Sequence, residues 1–321
     1  MPRATTGVPE ASASIATSEL VSSTTLVIAR QRAGRAIERR AHLLGAPIGS
    51  GPTGANGYAM LSTIMTSSGA TEGPRARPTH ALDHARVLIV AAHPDDETIG
   101  ASALLGPPRE VTVVHVSDGA PHDRRWWPAG IEDREAYARL RALEAERALA
   151  HVRADRIALG LVDQEVVHAL PELARAIADH VERLAPELIV THAYEGGHPD
   201  HDAVAFAVAR ARELVGAAPP SYEMALYHAG SGRFVAGELL DDRGSTCVAL
   251  DAEQRARRRA MLECFESQRT TLAPFMELAH ERYRAAPRYD FSRPPHDGPL
   301  CYERFGFWIT GARWREIAAR A

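Results

Sequence analysis

The stretch VLIVAAHPDDETIGASALL, residues 87–105, places a run of apolar residues directly before His-Pro-Asp-Asp-Glu. The apolar run has the length and the β-branched content of a buried strand. The acidic residues after it predict the start of a helix, because negative side chains are favoured at a helix N-terminus. Polar groups at such a turn form either a helix cap or part of a reaction site, and the stretch alone is compatible with both.

From residue 86 onward, similar apolar runs alternate with stretches of helical periodicity. Strands are predicted at 86–93, 111–119, 156–161 and 187–194, and helices at 133–151 and 171–185. Strands that are apolar along their whole length are typical of a parallel sheet covered on both faces. The pattern therefore predicts an α/β fold, Rossmann-like and doubly wound, with a mostly parallel sheet and helices on both faces.

A second polar cluster, THAYEGGHPDHDAV at residues 191–204, begins within the fourth predicted strand and extends beyond it. In a doubly wound sheet, ligands bind beyond the carboxyl ends of the strands, where both clusters are expected to lie. Each cluster has a His followed three residues later by another polar group, so that the two side chains can converge. Imidazole and carboxylate groups are good zinc ligands, and two His with one Asp leave a fourth position for water.

Simpler interpretations exist for each cluster alone, namely a helix cap for the first and a solvated turn for the second. The recurrence of His-Pro-Asp at the ends of two core strands favours a metal site over both. Zinc lowers the pKa of its water towards about 7, and a carboxylate beside it can accept the proton. A paired Asp can therefore supply one ligand and one general base. The pair Gly196-Gly197 predicts a close approach of the backbone to a bound ligand.

The two motifs, AAHPDDE and GGHPDH, resemble those of the PIG-L/LmbE-like family of zinc-dependent de-N-acetylases, which includes N-acetylglucosaminyl deacetylases. The resemblance implies that His93, Asp96 and His201 bind zinc, although iron tolerates the same ligands. It implies that Asp95 is the general base. It also implies that His198 stabilises the oxyanion and protonates the leaving amine.

The resemblance covers about residues 86–265, including the predicted helix with Arg141 and the LGLVDQE stretch that carries Asp163. Further side chains are expected to support the ligands or to contact substrate: Glu97, Asp200, Arg124, Arg141 and Tyr194. Tyr194 or His192 is a candidate for an oxyanion contact, because some relatives carry an aromatic residue where this chain has Gly197.

Two aromatic segments are candidates for substrate contacts. Arg124 lies in a loop with two tryptophans that could stack on a sugar or grip an acidic substituent. The tail at 289–314 is rich in Pro, Gly and aromatic residues, a composition that fits most simply the packing of an irregular C-terminus and alternatively a wall or lid over a site. The candidate contacts in this tail are Arg293, His296 and Tyr302.

Composition limits the partners and the compartment. The net charge of -4 gives no electrostatic reason to expect nucleic acid or an anionic membrane surface. Apolar runs stay below the ~20 residues of a membrane span. Three cysteines without a CxxC pair argue against a disulfide framework and fit a reducing cytoplasm. A small-molecule substrate is the expected partner, and no pattern specifies an oligomeric state.

Residues 1–82 differ from the rest of the chain, since they are rich in Ala, Ser, Thr and Gly and have no sustained periodicity. They are predicted to be a disordered extension, or to result from a start codon placed upstream of Met60 or Met65. Residues 83–321 are predicted to form the deacetylase domain, with an irregular C-terminal segment from about residue 269.

The predicted function is that of a metal-dependent amide hydrolase. Its substrate is expected to be an amino sugar, or a related small molecule, that carries an N-acetyl or N-acyl group. One alternative is an amidase that cleaves a thiol conjugate or another acylated amine. Another is a non-catalytic module that binds a sugar or a nucleotide at its helix N-termini.

Overall fold

The computed structural model describes residues 79–321, so the predicted extension lies almost entirely outside the described residues. The strands are β1 (Arg86–Ala91), β2 (Glu110–Pro121), β3 (Ala154–Asp163), β4 (Leu188–His192), β5 (Ser221–Met224), β6 (Tyr227–His228), β7 (Val235–Ala236), β8 (Thr246–Ala249) and β9 (His280–Ala285). The α-helices are α1 (Asp96–Gly100), α2 (Arg134–Leu149), α3 (Leu170–Leu184), α4 (Pro199–Leu214), α5 (Ala252–Glu263), α6 (Arg269–Leu272), α7 (Cys301–Arg304) and α8 (Gly311–Ala318).

The main sheet has seven strands in the order β3-β2-β1-β4-β5-β9-β8. Strands β1 to β5 are parallel, and β9 pairs antiparallel with both β5 and β8. The four predicted strands correspond to β1 to β4, and the two predicted helices correspond to α2 and α3. The predicted α/β architecture with a mostly parallel sheet is therefore confirmed.

Strand β1 lies at the point where the strand order reverses. Val87 pairs with Val111 of β2 on one side and with Leu188 of β4 on the other. The segments that leave β1 and β4 must therefore diverge to opposite faces of the sheet and open a crevice between them. Both polar motifs begin at this crevice, which explains how residues a hundred positions apart meet.

Both faces of the sheet are covered by helices. Because successive side chains of a strand point to opposite faces, Leu88 and Val90 pack with α3 and α4, whereas Val87 and Ile89 pack with α2 and α5. All four side chains are at most 2% exposed. The motif after β1 is therefore anchored on a strand that is buried on both sides.

The C-terminal segment from residue 269 is less irregular than its composition predicts. It contributes β9 to the main sheet, between β5 and β8, and it ends in α8. The paired backbone of β9 and the burial of Trp314 of α8 stabilise these elements despite the many Pro and Gly residues nearby.

Helix α5 carries several arginines, and one of them, Arg258, is only 2% exposed. Its guanidinium donates hydrogen bonds to the carbonyl oxygens of Thr98, Ile99 and Leu278. Carbonyls at the end of a short helix need external donors, and a buried arginine can satisfy several of them at once. Arg258 thereby ties the end of α1 to α5.

Two expectations from composition can be compared with the described part of the chain. Among residues 79–321, every helix is too short or too polar to cross a membrane. Cys247, Cys264 and Cys301 are all free thiols in this region.

Candidate metal centre and active site

A cavity of about 110 Å³ opens beyond the carboxyl ends of β1 and β3 and beside the start of α4. Its lining contains all the residues predicted to bind metal or act in catalysis: His93, Asp95, Asp96, His198 and His201. Sites for drug-sized ligands usually measure about 300 Å³ or more, so this cavity accepts only a small part of a ligand. A larger cavity of about 720 Å³ lies at the amino ends of β1, β2 and β3, among backbone and surface side chains at the opposite edge of the sheet.

Three sets of side chains in the smaller cavity bring one potential ligand atom each to within 4.8 Å of one another. The sets are His93, His198 and His201; His93, Asp163, His198 and Asp200; and Asp96, His192 and His201. The three predicted metal ligands are divided between the first and third sets. Their donors, imidazole nitrogen and carboxylate oxygen, are those that zinc and iron accept.

Asp96 joins the two predicted histidine ligands. Its carboxylate lies 3.2 Å from Nδ1 of His93 and 3.3 Å from Nε2 of His201. Burial raises the pKa of Asp96, but the nearby imidazoles outweigh this effect and hold it well below its ordinary value. Burial also lowers the pKa of His201. A carboxylate and a neutral imidazole are the forms that bind metal ions, so Asp96 and His201 are both in the form that a cation requires. Burial lowers the pKa of His93, but the carboxylates of Asp163 and Asp96 outweigh this effect and raise it, so a cation would replace a proton on this ring.

The second nitrogen of His93 faces two carboxylates. Its Nε2 lies 3.1 Å from Oδ1 of Asp163 and 3.3 Å from Oδ2 of Asp200. Asp200 is fully buried and accepts the backbone N–H groups of Gln164 and Val166, so its position is fixed. A carboxylate behind a histidine orients the ring and makes it a better metal ligand. Asp200 lies in such a position behind His93.

Asp95 has an unusual backbone conformation, with φ of 136°. It precedes α1, where an Asp side chain ordinarily accepts backbone N–H groups. Here the side chain turns to the cavity instead, and its Oδ2 accepts a hydrogen bond from Arg141 at 2.8 Å. Burial is the largest influence and raises the pKa of Asp95 to about 7, although the Arg141 guanidinium opposes this. The expected support of the site by Arg141 is thus a direct contact with Asp95.

His198 is the N-cap of α4, followed by Pro199 at the first helical position. Its Nδ1 accepts the backbone N–H of Asp200 at 3.1 Å. An accepting Nδ1 carries no proton, so the neutral ring carries its proton on Nε2. Burial lowers the pKa of His198 well below its ordinary value, which keeps the ring neutral. A protonated Nε2 is a hydrogen-bond donor and not a metal ligand, so His198 differs chemically from His93 and His201.

Comparison with known families identifies the central part of the chain. Residues 88–212 match the family model PIG-L, described as GlcNAc-PI de-N-acetylase. These residues form a PIG-L domain. The domain contains both motifs and every side chain assigned to the cavity so far. A search of curated proteins gave no match.

Solved structures similar to this chain include A40926 pseudoaglycone deacetylase Dbv21, at 21% identity and a TM-score of 0.50, covering 64% of this chain and 100% of that one. N,N'-diacetylchitobiose deacetylase from Pyrococcus horikoshii has 15% identity, a TM-score of 0.46 and coverages of 65% and 86%. The hydratase GalB from Pseudomonas putida has 17% identity, a TM-score of 0.46 and coverages of 64% and 97%. The similarity to Dbv21 shows a shared fold.

Two candidate residues, Tyr194 and Arg124, do not line the cavity of the PIG-L domain. The Tyr194 hydroxyl donates to the carbonyl of Arg293, and its ring packs against Phe291 and Trp314 in the core. The expected oxyanion contact from Tyr194 is therefore wrong, because β4 ends at His192 and the chain then turns this side chain towards the core.

Arg124 lies 4.8 Å above the Trp127 ring and donates to the Glu132 carbonyl, at the surface beside the cavity.

The glycine pair of the second motif makes room for protein atoms. A Cβ on Gly197 would lie 2.4 Å from the backbone oxygen of Tyr227, and one on Gly196 would lie 2.6 Å from Leu300. A ligand was expected to approach these glycines closely. Instead, Tyr227 of β6 and Leu300 of the C-terminal segment pack against them. The Tyr227 ring lines the cavity and contacts His201, so this chain supplies an aromatic wall from outside the motif.

The C-terminal segment reaches the PIG-L cavity through residues other than those predicted. Phe305 and Phe307 line it, and Phe307 packs against the rings of Trp126 and His198. Tyr302, in contrast, is 1% exposed within the core, and Arg293 is a surface residue. The segment thus lines the cavity through Phe305 and Phe307, and the candidate contacts Arg293, His296 and Tyr302 are not part of this lining.

Asp163 was noted only as part of the resemblance, but it lies against both His93 and His198. Its position at the end of β3 is a sequence signal for the site, since the carboxyl ends of β1, β3 and β4 all lie at this edge of the sheet. Glu97 is fully buried behind the site, where it accepts hydrogen bonds from His115 and Thr98. Its position fits a supporting residue and not a substrate contact.

Glu195, which follows β4, gives a prediction for stability. It is 5% exposed, and its Oε1 accepts the Leu240 N–H at 2.6 Å. Burial is the main cause that raises the pKa of Glu195 to about 8. A carboxyl group whose pKa is higher in the folded protein than in the unfolded chain makes the fold less stable as the pH rises from the unfolded pKa towards the folded pKa. The reason is that the unfolded chain ionises first.

Replacing Glu195 by Gln keeps the acceptor and removes this ionisation. We expect the E195Q variant to unfold about 2–4 °C higher than the wild type near pH 8, with a smaller difference near pH 5. Thermal unfolding followed by circular dichroism measures this, with exposed Glu182→Gln as the matched control. An equal rise in unfolding temperature at both pH values would show that Glu195 has the same pKa in the folded protein as in the unfolded chain.

Proposed function

We propose that the protein is a metal-dependent hydrolase that removes an acetyl or other small acyl group from the nitrogen of an amino sugar or a related amine. One observation carries the proposal: the carboxylate of Asp96 meets both His93 and His201 in a small cavity, beside a second carboxylate that turns away from its helix to face the same space. This arrangement supplies separate groups for holding a cation and for moving a proton.

The residues that would hold the ion are His93 through Nδ1, Asp96 through its carboxylate, and His201 through Nε2. Zinc suits these donors, and iron is the second candidate. When bound, such an ion polarises the amide carbonyl and makes water a stronger nucleophile at neutral pH. His198 stays outside this set because its Nε2 carries the proton.

Asp95 acts as the general base in this proposal. Its pKa of about 7 suits a group that must accept a proton near neutral pH and release it again. Arg141 holds the carboxylate in place through the 2.8 Å hydrogen bond. The proton that Asp95 accepts from water can then pass to the leaving amine. The low pKa of His198 favours Asp95 over His198 for this last transfer.

His198 stabilises the negative charge that develops on the carbonyl oxygen. A neutral imidazole with a fixed Nε2–H provides a preorganised donor, and its ring is held by the backbone bond to Nδ1 and by Phe307. Donors that are already oriented cost no reorganisation when the charge appears, so they contribute strongly to catalysis.

The cavity and its rim support a substrate with a small acyl group on a larger cyclic amine. The volume of about 110 Å³ suits an acetyl group and the reacting amide. The rest of the substrate would lie against the rim, where Trp308 is 51% exposed, stacks on His168 and donates from Nε1 to the carbonyl of Gln164, a cavity residue. Aromatic faces at the mouth of a pocket suit the apolar face of a sugar ring.

The test is release of carboxylate from a panel of amides by protein with measured metal content. We expect hydrolysis of N-acetylated amino sugars, lower rates with longer acyl chains, loss of turnover on chelation and recovery on addition of zinc or iron. Preferred cleavage of thiol conjugates would support the alternative amidase function. Protein that holds stoichiometric metal and releases no carboxylate from any amide would overturn the proposal.

A further inference from the structure

A chain of hydrogen bonds connects the outer strand of the sheet to the backbone of Asp95. Arg156 of β3 donates from Nε to Nδ1 of His115, a residue of β2, at 3.0 Å. The other ring nitrogen of His115, Nε2, lies 2.9 Å from Oε2 of Glu97. The same Glu97 oxygen accepts the backbone N–H of Asp95 at 3.2 Å. The chain therefore crosses three adjacent strands or their ends, β3, β2 and β1.

The donors and acceptors along this chain of hydrogen bonds determine which nitrogen of His115 carries the proton. A guanidinium can only donate, so Nδ1 of His115 must accept and carries no proton. The neutral ring then bears its proton on Nε2 and donates it to Glu97. His115 and Glu97 are both 0% exposed, which makes an unsatisfied carboxylate costly at this place. Arg156 is the partly exposed end of the chain, with 19% of its side chain accessible.

The chain of hydrogen bonds ends at Asp95, a residue with a strained backbone. A φ of 136° is rare for any residue except glycine, and such conformations persist when surrounding contacts impose them. The bond from the Asp95 N–H to Glu97 is one such contact. Another is the Asp95 carbonyl, which accepts the N–H groups of Thr98 and Ile99 in α1. This conformation directs the Asp95 carboxylate to Arg141 and the cavity, away from the N-terminus of α1.

We propose that Arg156 and His115 are positioning residues, which hold Glu97 and through it the strained backbone of Asp95 in the orientation needed for proton transfer. The inference rests on the proposed role of Asp95 as general base. Arg156 acts through two other side chains and has no part in holding substrate or metal. A purely structural pair of buried residues would affect the unfolding temperature but would leave kcat of the folded enzyme unchanged.

Two substitutions at His115 separate these roles. In the H115Q variant, the amide can accept from Arg156 and donate to Glu97, as the neutral ring does. In the H115L variant, both bonds are lost while a similar volume stays filled. We expect kcat of H115L to fall about 10- to 100-fold, as for loss of a hydrogen bond to a charged group, with KM and metal content unchanged. H115Q should stay within about 3-fold of the wild type, given that both bonds are kept.

A matched pair of arginine substitutions tests the outer end. R156M keeps the aliphatic packing of the side chain and removes the donor. Arg153 is exposed just before the same strand, so R153M removes a positive charge nearby without touching the chain of hydrogen bonds. We expect kcat to fall about 10-fold in R156M and to stay at the wild-type value in R153M. Wild-type kcat in folded R156M and H115L, or an equal loss in H115Q and H115L, would overturn the inference.

The protonation of His115 provides a readout independent of activity. Proton–nitrogen correlation NMR of the imidazole rings near pH 7 should show His115 as the neutral form with its proton on Nε2, and the H115Q spectrum identifies its signal by difference. A ring protonated on both nitrogens would contradict the proposed chain of hydrogen bonds, because Nδ1 could then not accept from Arg156. Failure of the proposed function would appear separately, as wild-type protein with this NMR pattern and no turnover.

Discussion

Replacing Asp95 by Asn is expected to lower kcat by at least about 100-fold while the protein keeps its metal, which is the usual scale for losing a general base. The amide is the same size as the carboxylate and can still accept from Arg141, but it cannot take a proton from water at neutral pH. Asn also tolerates positive φ better than most residues, so the substitution adds little strain to the 136° conformation. The loss should therefore report on proton transfer.

The measurement combines steady-state kinetics with the metal-to-protein ratio of the same preparation. Asp123→Asn is the matched control, because Asp123 pairs with Arg125 on the surface loop beside the cavity. We expect the control to keep the wild-type kcat. Unchanged turnover of D95N with a full complement of metal would remove Asp95 from the role of general base.

Replacing His93 or His201 by Ala is expected to remove the metal. Each substitution leaves two of the three ligands, and protein sites that bind zinc firmly need at least three. Turnover should fall to the background rate, and the rise in unfolding temperature that metal gives to the wild type should disappear, since only a bound ligand stabilises the fold. Elemental analysis of dialysed protein and thermal unfolding with and without metal measure both effects.

His198 provides a discriminating comparison within the same cavity. Its Nδ1 is occupied by the Asp200 N–H, so we expect H198A to keep its metal and lose turnover by about 100-fold, as for removal of an oxyanion donor. His151, exposed after α2, supplies the control H151A, with unchanged metal and kcat. Loss of metal from H198A together with full metal in H201A would show that His198 replaces His201 as a ligand.

The strands, the helices and the edge of the sheet that carries the site could be predicted from the sequence, whereas the position of Tyr194 could not. The order of strands and helices was readable because near-continuous apolar runs and helical spacing are local patterns. The location of the cavity followed from two motifs placed at the ends of β1 and β4, which the rules of parallel sheets bring together. Tyr194 was misplaced because a loop after a strand end can turn a side chain to either side, and local sequence does not encode that turn.

The sequence by itself determined the fold class, the edge of the sheet where the site lies and the residue types that meet there. Only the tertiary structure decided which atoms face each other: that Asp163 reaches His93 from 70 residues away, that Arg141 pairs with Asp95 across 46 residues, and that Arg156 reaches His115 across 41. It also decided the protonation of His198, through a backbone bond at the start of α4. The physical reason is that spacing along the chain sets which strand end a residue occupies, whereas hydrogen bonds depend on packing between strands and on burial.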